Sequence, residues 1–377
     1  MACLICAFKL ASFMGMQHSQ ATMDQSFMQR ALELAARGIG GTHPNPRVGA
    51  VVVKDGVVIG EGWHEKPGMP HAEPVALKAA GEAARGATLY VTLEPCAAHG
   101  RTPPCTEAVL AAGIARIVYA SADPNPKMAG GGEVLKAKGL EVVSGVLQTE
   151  ADQLNSAFFH YLASGMPYVI AKAAISLDGK MATHTGHSQW ISGSESRLHA
   201  HALRAASDAI VVGAGTFIHD NPSLTVRDVP CTGKAPLRVL FAKQTPPFSR
   251  HCKMLSEEAP SRFYVREYGE NDILWHQAGM EIVTIGDPAA MLKHLAEDGC
   301  LSVLVEGGGR LHAELLQARL AQELVLYQAP LLIGGVDAPG LWHGQGVERM
   351  PEALRVDVFE RRLLGDDQLI RGRILYS

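Results

Sequence analysis

At 377 residues, 47% hydrophobic and 19% charged, the chain is long enough for two ordinary cores and too apolar for a disordered polymer. A formal charge of -4 with scattered basic residues points to no nucleic-acid partner, and no stretch approaches the roughly 20 apolar residues of a membrane span. The seven cysteines form an odd, dispersed set unlike a secreted disulfide scaffold, so a cytoplasmic location is expected.

Residues 1–23 lack the basic start, long apolar run and small-residue cleavage site of a signal peptide and read as a disordered leader. Apolar residues at helical spacing over 26–36 stop before Gly38, which predicts a first helix. Two β-rich runs, 48–53 and 57–63, flank Asp55-Gly56, a strong hairpin signal. A helix follows His71 to residue 84, with Pro74 tolerated in its first turn. A strand over 87–93 ends at Glu94-Pro95-Cys96, and Pro103-Pro104 preset a helix over 105–112. A strand at 116–120 and a helix near 133–138 complete an alternating α/β unit. A helical segment over 149–162 and the run Ser164-Gly165-Met166-Pro167 mark a domain junction, giving domains at 24–166 and 167–377. Beyond it, short β-rich runs at 168–175, 209–212, 237–241, 281–285 and 302–305 announce a second α/β domain. There, Glu306-Gly307-Gly308-Gly309 joins a strand to a helical pattern over 310–320, a weak signal that suits a phosphate as well as a simple turn.

The sharpest chemistry lies at His71-Ala72-Glu73, Pro95-Cys96 and Cys105. A hydrolytic zinc takes three protein ligands and leaves one position for water, which His71, Cys96 and Cys105 satisfy, while a structural zinc wants a fourth. Glu73 is then free to take a proton from water and return it to a departing amine, the division of labour in base deaminases, although the gap between the cysteines is longer here. Both ends of the pattern fall at predicted helix N-termini, where thiolate is favoured.

With Leu93-Glu94-Pro95-Cys96, Gly100-Arg101-Thr102-Pro103-Pro104-Cys105, Asp123-Pro124-Asn125-Pro126, Ser176-Leu177-Asp178-Gly179-Lys180, Ser188-Gln189-Trp190-Ile191 and the run from Asp220 to Arg227, the chain resembles the bifunctional deaminase/reductases of riboflavin biosynthesis, and the motif order from residue 24 onward is theirs. The resemblance implies a cytidine-deaminase-like α/β/α sandwich followed by a dihydrofolate-reductase-like α/β domain. It implies hydrolysis of the ring amine of 2,5-diamino-6-(5-phosphoribosylamino)pyrimidin-4-one with Zn2+, then reduction of the ribosyl chain to ribityl with NADPH, in a homodimer. It assigns Asn45, His64 and Arg101 to the deaminase substrate, with Arg101 able to meet its phosphate. Ser188, Arg204, Leu224, Arg227 and Glu306 become reductase substrate contacts, with Lys172 a further candidate. Ala174, Trp190, Thr216, Asp220 and the run Gly308, Gly309, Arg310, Leu311 become cofactor contacts. The chain departs from the family at Pro74-Val75, where Val and then a polar residue, His or Asn, commonly follow, a change expected to remove a ring contact or alter affinity without touching the zinc ligands.

The rival reading is a nucleic-acid base deaminase fused to a nucleotide-binding domain. It requires a basic groove, against which the acidic balance and the Thr102-Pro103-Pro104 insertion count. A binding protein with decayed sites should have lost Glu73 or a ligand, and all four residues are present.

Overall fold

Asp55 and Gly56 adopt φ of 51° and 76°, the left-handed pair a two-residue hairpin needs, and join β1 (Gly49–Lys54) to β2 (Val57–Trp63). The computed structural model that shows this describes residues 20–99, 103–231, 233–344 and 346–376. These residues divide between Ala163 and Ser164 into two units.

In the first unit β3 (Thr88–Leu93), β4 (Arg116–Ser121) and β5 (Glu141–Ser144) extend the hairpin into a sheet of order β2-β1-β3-β4-β5. It is antiparallel from β2 to β3 and parallel from β3 to β5. Because strand side chains alternate, Ala50, Val52, Leu89 and Val91 go to one core and Val51, Val53 and Tyr90 to another. The first core is covered by α2 (Ala72–Ala80), α3 (Cys105–Ala111) and α4 (Gly131–Ala137). The second lies under α1, described over 20–36, and α5 (Gln148–Leu154). This is an α/β/α sandwich.

Residues 20–23, read as disordered leader, are helical: Gln20 Nε2 donates to Asp24 at 3.0 Å, and Asp24 is anchored by Arg116 at 2.7 Å and Tyr90 at 2.7 Å. Residues 1–19 lie outside the described region. The single helix expected over 149–162 is two, α5 and α6 (Ser156–Ser164), broken at Asn155. Its side chain bonds the backbone of Arg47 at 2.8 and 2.9 Å, which fixes it outside a helical run.

The second unit is built on β6 (Tyr168–Ile175), β7 (Ala209–Gly213), β8 (Leu237–Ala242), β9 (Ser261–Val265), β10 (Glu281–Thr284), β11 (Ser302–Val305), β12 (Glu323–Gln328), β13 (Arg355–Leu364) and β14 (Asp367–Leu375). Its order is β10-β9-β8-β7-β11-β6-β12-β14-β13, parallel from β10 to β12 and closed by the antiparallel pair. Near-continuous apolar strands such as Ala-Ile-Val-Val in β7 are what a sheet covered on both faces requires. One face packs on α10 (Pro288–Glu297) and α11 (Gly309–Gln317), the other on α7 (Ser194–Ala205), α8 (Ala214–Asp220) and α9 (Asp272–Gln277). Strands β5, β9, β12, β13 and β14 were not expected from sequence.

Candidate active sites

In the first unit, position is set by glycine. Gly60 and Gly62 of β2 let α2 lie directly on the sheet: a Cβ on Gly62 would stand 2.6 Å from the Ala72 carbonyl oxygen, and one on Gly60 2.3 Å from that of Ala76. That contact fixes the N-terminal turn of α2, with His71 as its N-cap and Glu73 in its first turn. Cys96 follows the end of β3 and Cys105 opens α3, so three elements deliver three donors.

Their ligand atoms all lie within 4.8 Å of one another. His71 Nδ1 is 3.2 Å from Cys105 Sγ and 3.8 Å from Cys96 Sγ, and the Cys105 amide donates to Cys96 Sγ at 3.2 Å. A hydrogen bond from Cys105 lowers the Cys96 thiol to about 4, whereas that shared bond and burial push Cys105 up. A borderline divalent cation is the group that lets two such sulfurs be thiolates side by side. One imidazole and two thiolates, with no fourth ligand in the cluster among the described residues, is the donor set of an open zinc site. Glu73 is 3% exposed, and burial raises its carboxyl above the ordinary value against the pull of His71.

A cavity of about 170 Å³ opens onto His71, Glu73 and Cys96. Asn45 and His64 line it and are bonded to each other, Asn45 Nδ2 to His64 Nε2 at 3.0 Å. The Pro70 carbonyl accepts from His64 Nδ1 at 3.1 Å, so His64 is the neutral tautomer protonated on Nδ1, in keeping with the burial that lowers its pKa. Arg101 lies outside the described residues. Pro74 and Val75 do not line this cavity. They border a separate depression with Trp63, Met69 and Lys78. Sequence reasoning missed Met128 and Phe158 as lining residues, and had quoted Asp123 and Asn125 only as part of a motif. Nothing in the local pattern around Phe158 signals a pocket, since its helix is a short, mostly apolar one with no fully buried residue.

In the second unit the candidates gather at the C-terminal ends of β6, β7 and β11, where open parallel sheets hold ligands. Glu306 follows β11, its side chain 9% exposed; Arg204, in the last turn of α7, grips it at 2.6 and 2.9 Å, and Lys172 of β6 is 3.8 Å away. Burial alone would raise the Glu306 carboxyl, but Arg204 and then Lys172 outweigh it and bring it down to about 2. Two residues expected as separate substrate contacts are therefore one ion pair, and Arg204 also donates to the Thr225 carbonyl at 3.0 Å. Ser188 and Asp220 are likewise joined, at 3.0 Å. Trp190 is 67% exposed with Arg197 stacked 4.9 Å from its ring. Arg227 is exposed and donates to Ser223 Oγ at 2.9 Å.

The Leu224 and Leu311 side chains are 1% and 5% exposed and belong to hydrophobic cores, so only their backbones could meet a ligand. Ala174 sits on β6 against another core. Gly308 is the N-cap of α11 without a side-chain cap, Gly309 and Arg310 begin the helix, and a Cβ on Gly308 would stand 3.6 Å from Thr216 Oγ1. Uncapped amides behind a glycine turn fit the phosphates of a dinucleotide.

The comparisons with known proteins follow this division. Residues 21–121 match the family described as the cytidine and deoxycytidylate deaminase zinc-binding region, and residues 167–367 match the RibD C-terminal domain. The riboflavin biosynthesis protein RibD of Aquifex aeolicus is 44% identical over 354 residues, covering 92% of this chain and 98% of that protein. RibD of Escherichia coli is 41% identical over 364 residues, covering 91% and 97%. Among solved structures, Acinetobacter baumannii RibD superposes with a TM-score of 0.82 at 38% identity, covering 94% of this chain and 100% of that one. The Thermotoga maritima diaminohydroxyphosphoribosylaminopyrimidine deaminase/5-amino-6-(5-phosphoribosylamino)uracil reductase gives 0.81 at 35%, covering 94% and 99%. The first unit is thus cytidine-deaminase-like and the second the dihydrofolate-reductase-like RibD domain. Two folds in this order, aligned over nearly the whole length of such relatives, place the chain in the RibD family of riboflavin biosynthesis proteins.

Proposed function

We propose that the chain is a bifunctional enzyme of riboflavin biosynthesis. Its deaminase half, 24–166, hydrolyses the ring amine of 2,5-diamino-6-(5-phosphoribosylamino)pyrimidin-4-one, and its reductase half, 167–377, reduces the ribosyl chain of the product to ribityl with NADPH. The observation that carries this is the convergence of His71, Cys96 and Cys105 within 4.8 Å beside a buried Glu73, in a chain of RibD type. His71, Cys96 and Cys105 would hold zinc, which when bound supplies Lewis acidity toward a water molecule.

Glu73 takes the proton from the attacking water and passes it to the leaving nitrogen, so that a C–N bond breaks, a C=O forms and ammonia departs. Asn45, oriented by His64, meets the edge of the ring, and Arg101 the phosphate. In the second half NADPH supplies hydride. The α11 amides, Thr216, Trp190, Asp220 and the Ala174 backbone hold the cofactor; Ser188, Arg227 and the Arg204–Glu306 pair hold the sugar phosphate. The free cysteines among the described residues, four of them buried, support a cytoplasmic enzyme, and the family resemblance supports a homodimer acting on a small molecule.

Incubation of the purified protein with the diaminopyrimidine, followed by mass spectrometry, is expected to show amine-to-carbonyl exchange without NADPH and a further gain of two hydrogens with it. Glu73→Gln should lower deamination by at least about 100-fold while zinc content stays unchanged. Exchange at the wild-type rate in that variant would remove the proton-transfer role.

A further inference from the structure

One wall of the deaminase cavity comes from a part of the chain that neither family description reaches. The matches end at 121 and resume at 167. The stretch between them supplies Phe158, on α6, which borders the same cavity as Asn45, His71 and Glu73. α6 has no fully buried residue, so an ordinary core stripe does not hold it in place. Asn155, 4% exposed, does that work from the residue before the helix: its amide accepts from Arg47 N–H at 2.8 Å and donates to the Arg47 carbonyl at 2.9 Å. Its carbonyl receives the Phe159 amide at 3.0 Å. Arg47 is two residues from Asn45. Asn155, together with the Arg47 guanidinium that donates to the neighbouring Leu154 carbonyl, therefore ties the turn that carries Asn45 to the helix that carries Phe158, on two sides of one cavity.

A diaminopyrimidine is polar around its edge and apolar on its faces. Asn45 and Glu73 offer hydrogen bonds to an edge; a face needs a flat apolar surface, and Phe158 is the phenyl ring among the residues bordering the cavity. We propose that Phe158 is a substrate-contacting residue of the deaminase half, its ring lying against the face of the pyrimidine, and that Asn155 is the positioning residue that holds it there. The proposal rests on the deaminase reading given above.

The test is steady-state deamination by wild type, Phe158→Ala, Phe158→Tyr and Asn155→Ala, with zinc content and NADPH-dependent reduction of the deaminated intermediate measured on the same preparations. Phe158→Ala should raise KM about tenfold, the loss of a partial aromatic contact, with kcat within about threefold of wild type. Phe158→Tyr should recover most of that KM, and Asn155→Ala should move KM in the same direction. Zinc content and reduction should not change. A wild-type KM in Phe158→Ala overturns the proposal. So does a fall in kcat and zinc content that Phe158→Tyr fails to rescue, which is the mark of a structural role. If wild type itself does not deaminate, the reading of the first unit fails and the proposal with it, an outcome distinct from the other two.

Discussion

Glu306 shows how one side chain can be legible in chemistry and hidden in arrangement. Only the family resemblance marked it as a substrate contact, the glycines after it being a weak signal, and sequence could not reveal that Arg204, more than 100 residues earlier, closes on it with two hydrogen bonds. Replacing Glu306 by Gln leaves Arg204 and Lys172 without their counter-charge in a nearly dry setting, which costs about 3–5 kcal/mol for a broken buried pair. Denaturant unfolding should show that loss, with the zinc site intact. Because the folded carboxyl lies at about 2, below its ordinary 4.5, its stabilising contribution is present above pH 4.5 and is lost as pH falls toward 2. Unfolding free energy measured across that window should therefore fall more steeply in wild type than in Glu306→Gln. The clustering of His71, Cys96 and Cys105 was readable because two thiols and an imidazole at such spacing have few other uses; His64 and Asn45 were readable only through resemblance, since their mutual bond is a tertiary fact.

At the scale of elements, the fit of α2 on β2 carries the catalytic geometry. Gly62→Ala places a methyl 2.6 Å from backbone atoms of α2 that cannot yield, so the helix must move and take His71 and Glu73 with it. Zinc content and deamination should both fall, while reduction of the deaminated intermediate persists. Gly56→Ala, in the hairpin turn, meets nothing within 4 Å and pays only for its positive φ, about 1 kcal/mol, so it should lower stability and leave both activities alone. Elements with one strong period were legible: the β1–β2 hairpin, the strand before Cys96 and the apolar strands of the parallel sheet. The misses have physical causes. β13 carries Arg355, Asp357, Glu360, Arg361 and Arg362 along its length and reads as polar coil. β12 begins with a buried Glu323, which Arg371 of β14 neutralises at 2.8 Å, a pairing invisible without the fold.

For the whole molecule, the two units have separate cores and matches to separate families, so their chemistries should be separable by reagent. Treatment with a zinc chelator is expected to abolish deamination and leave NADPH-dependent reduction of the deaminated intermediate near its untreated rate; loss of both to the same extent would mean that the second half also depends on metal. The strand order of the larger sheet has a further consequence, for biosynthesis. β6, made first in that unit, lies between β11 and β12, made more than 120 residues later, and β14, the last strand translated, is inserted between β12 and β13. All five strands of the first sheet precede β6 in the chain, whereas in the larger sheet β13 has no neighbour until β14 is made. Completion of the larger sheet is therefore expected to wait for β14, later in synthesis than completion of the first sheet.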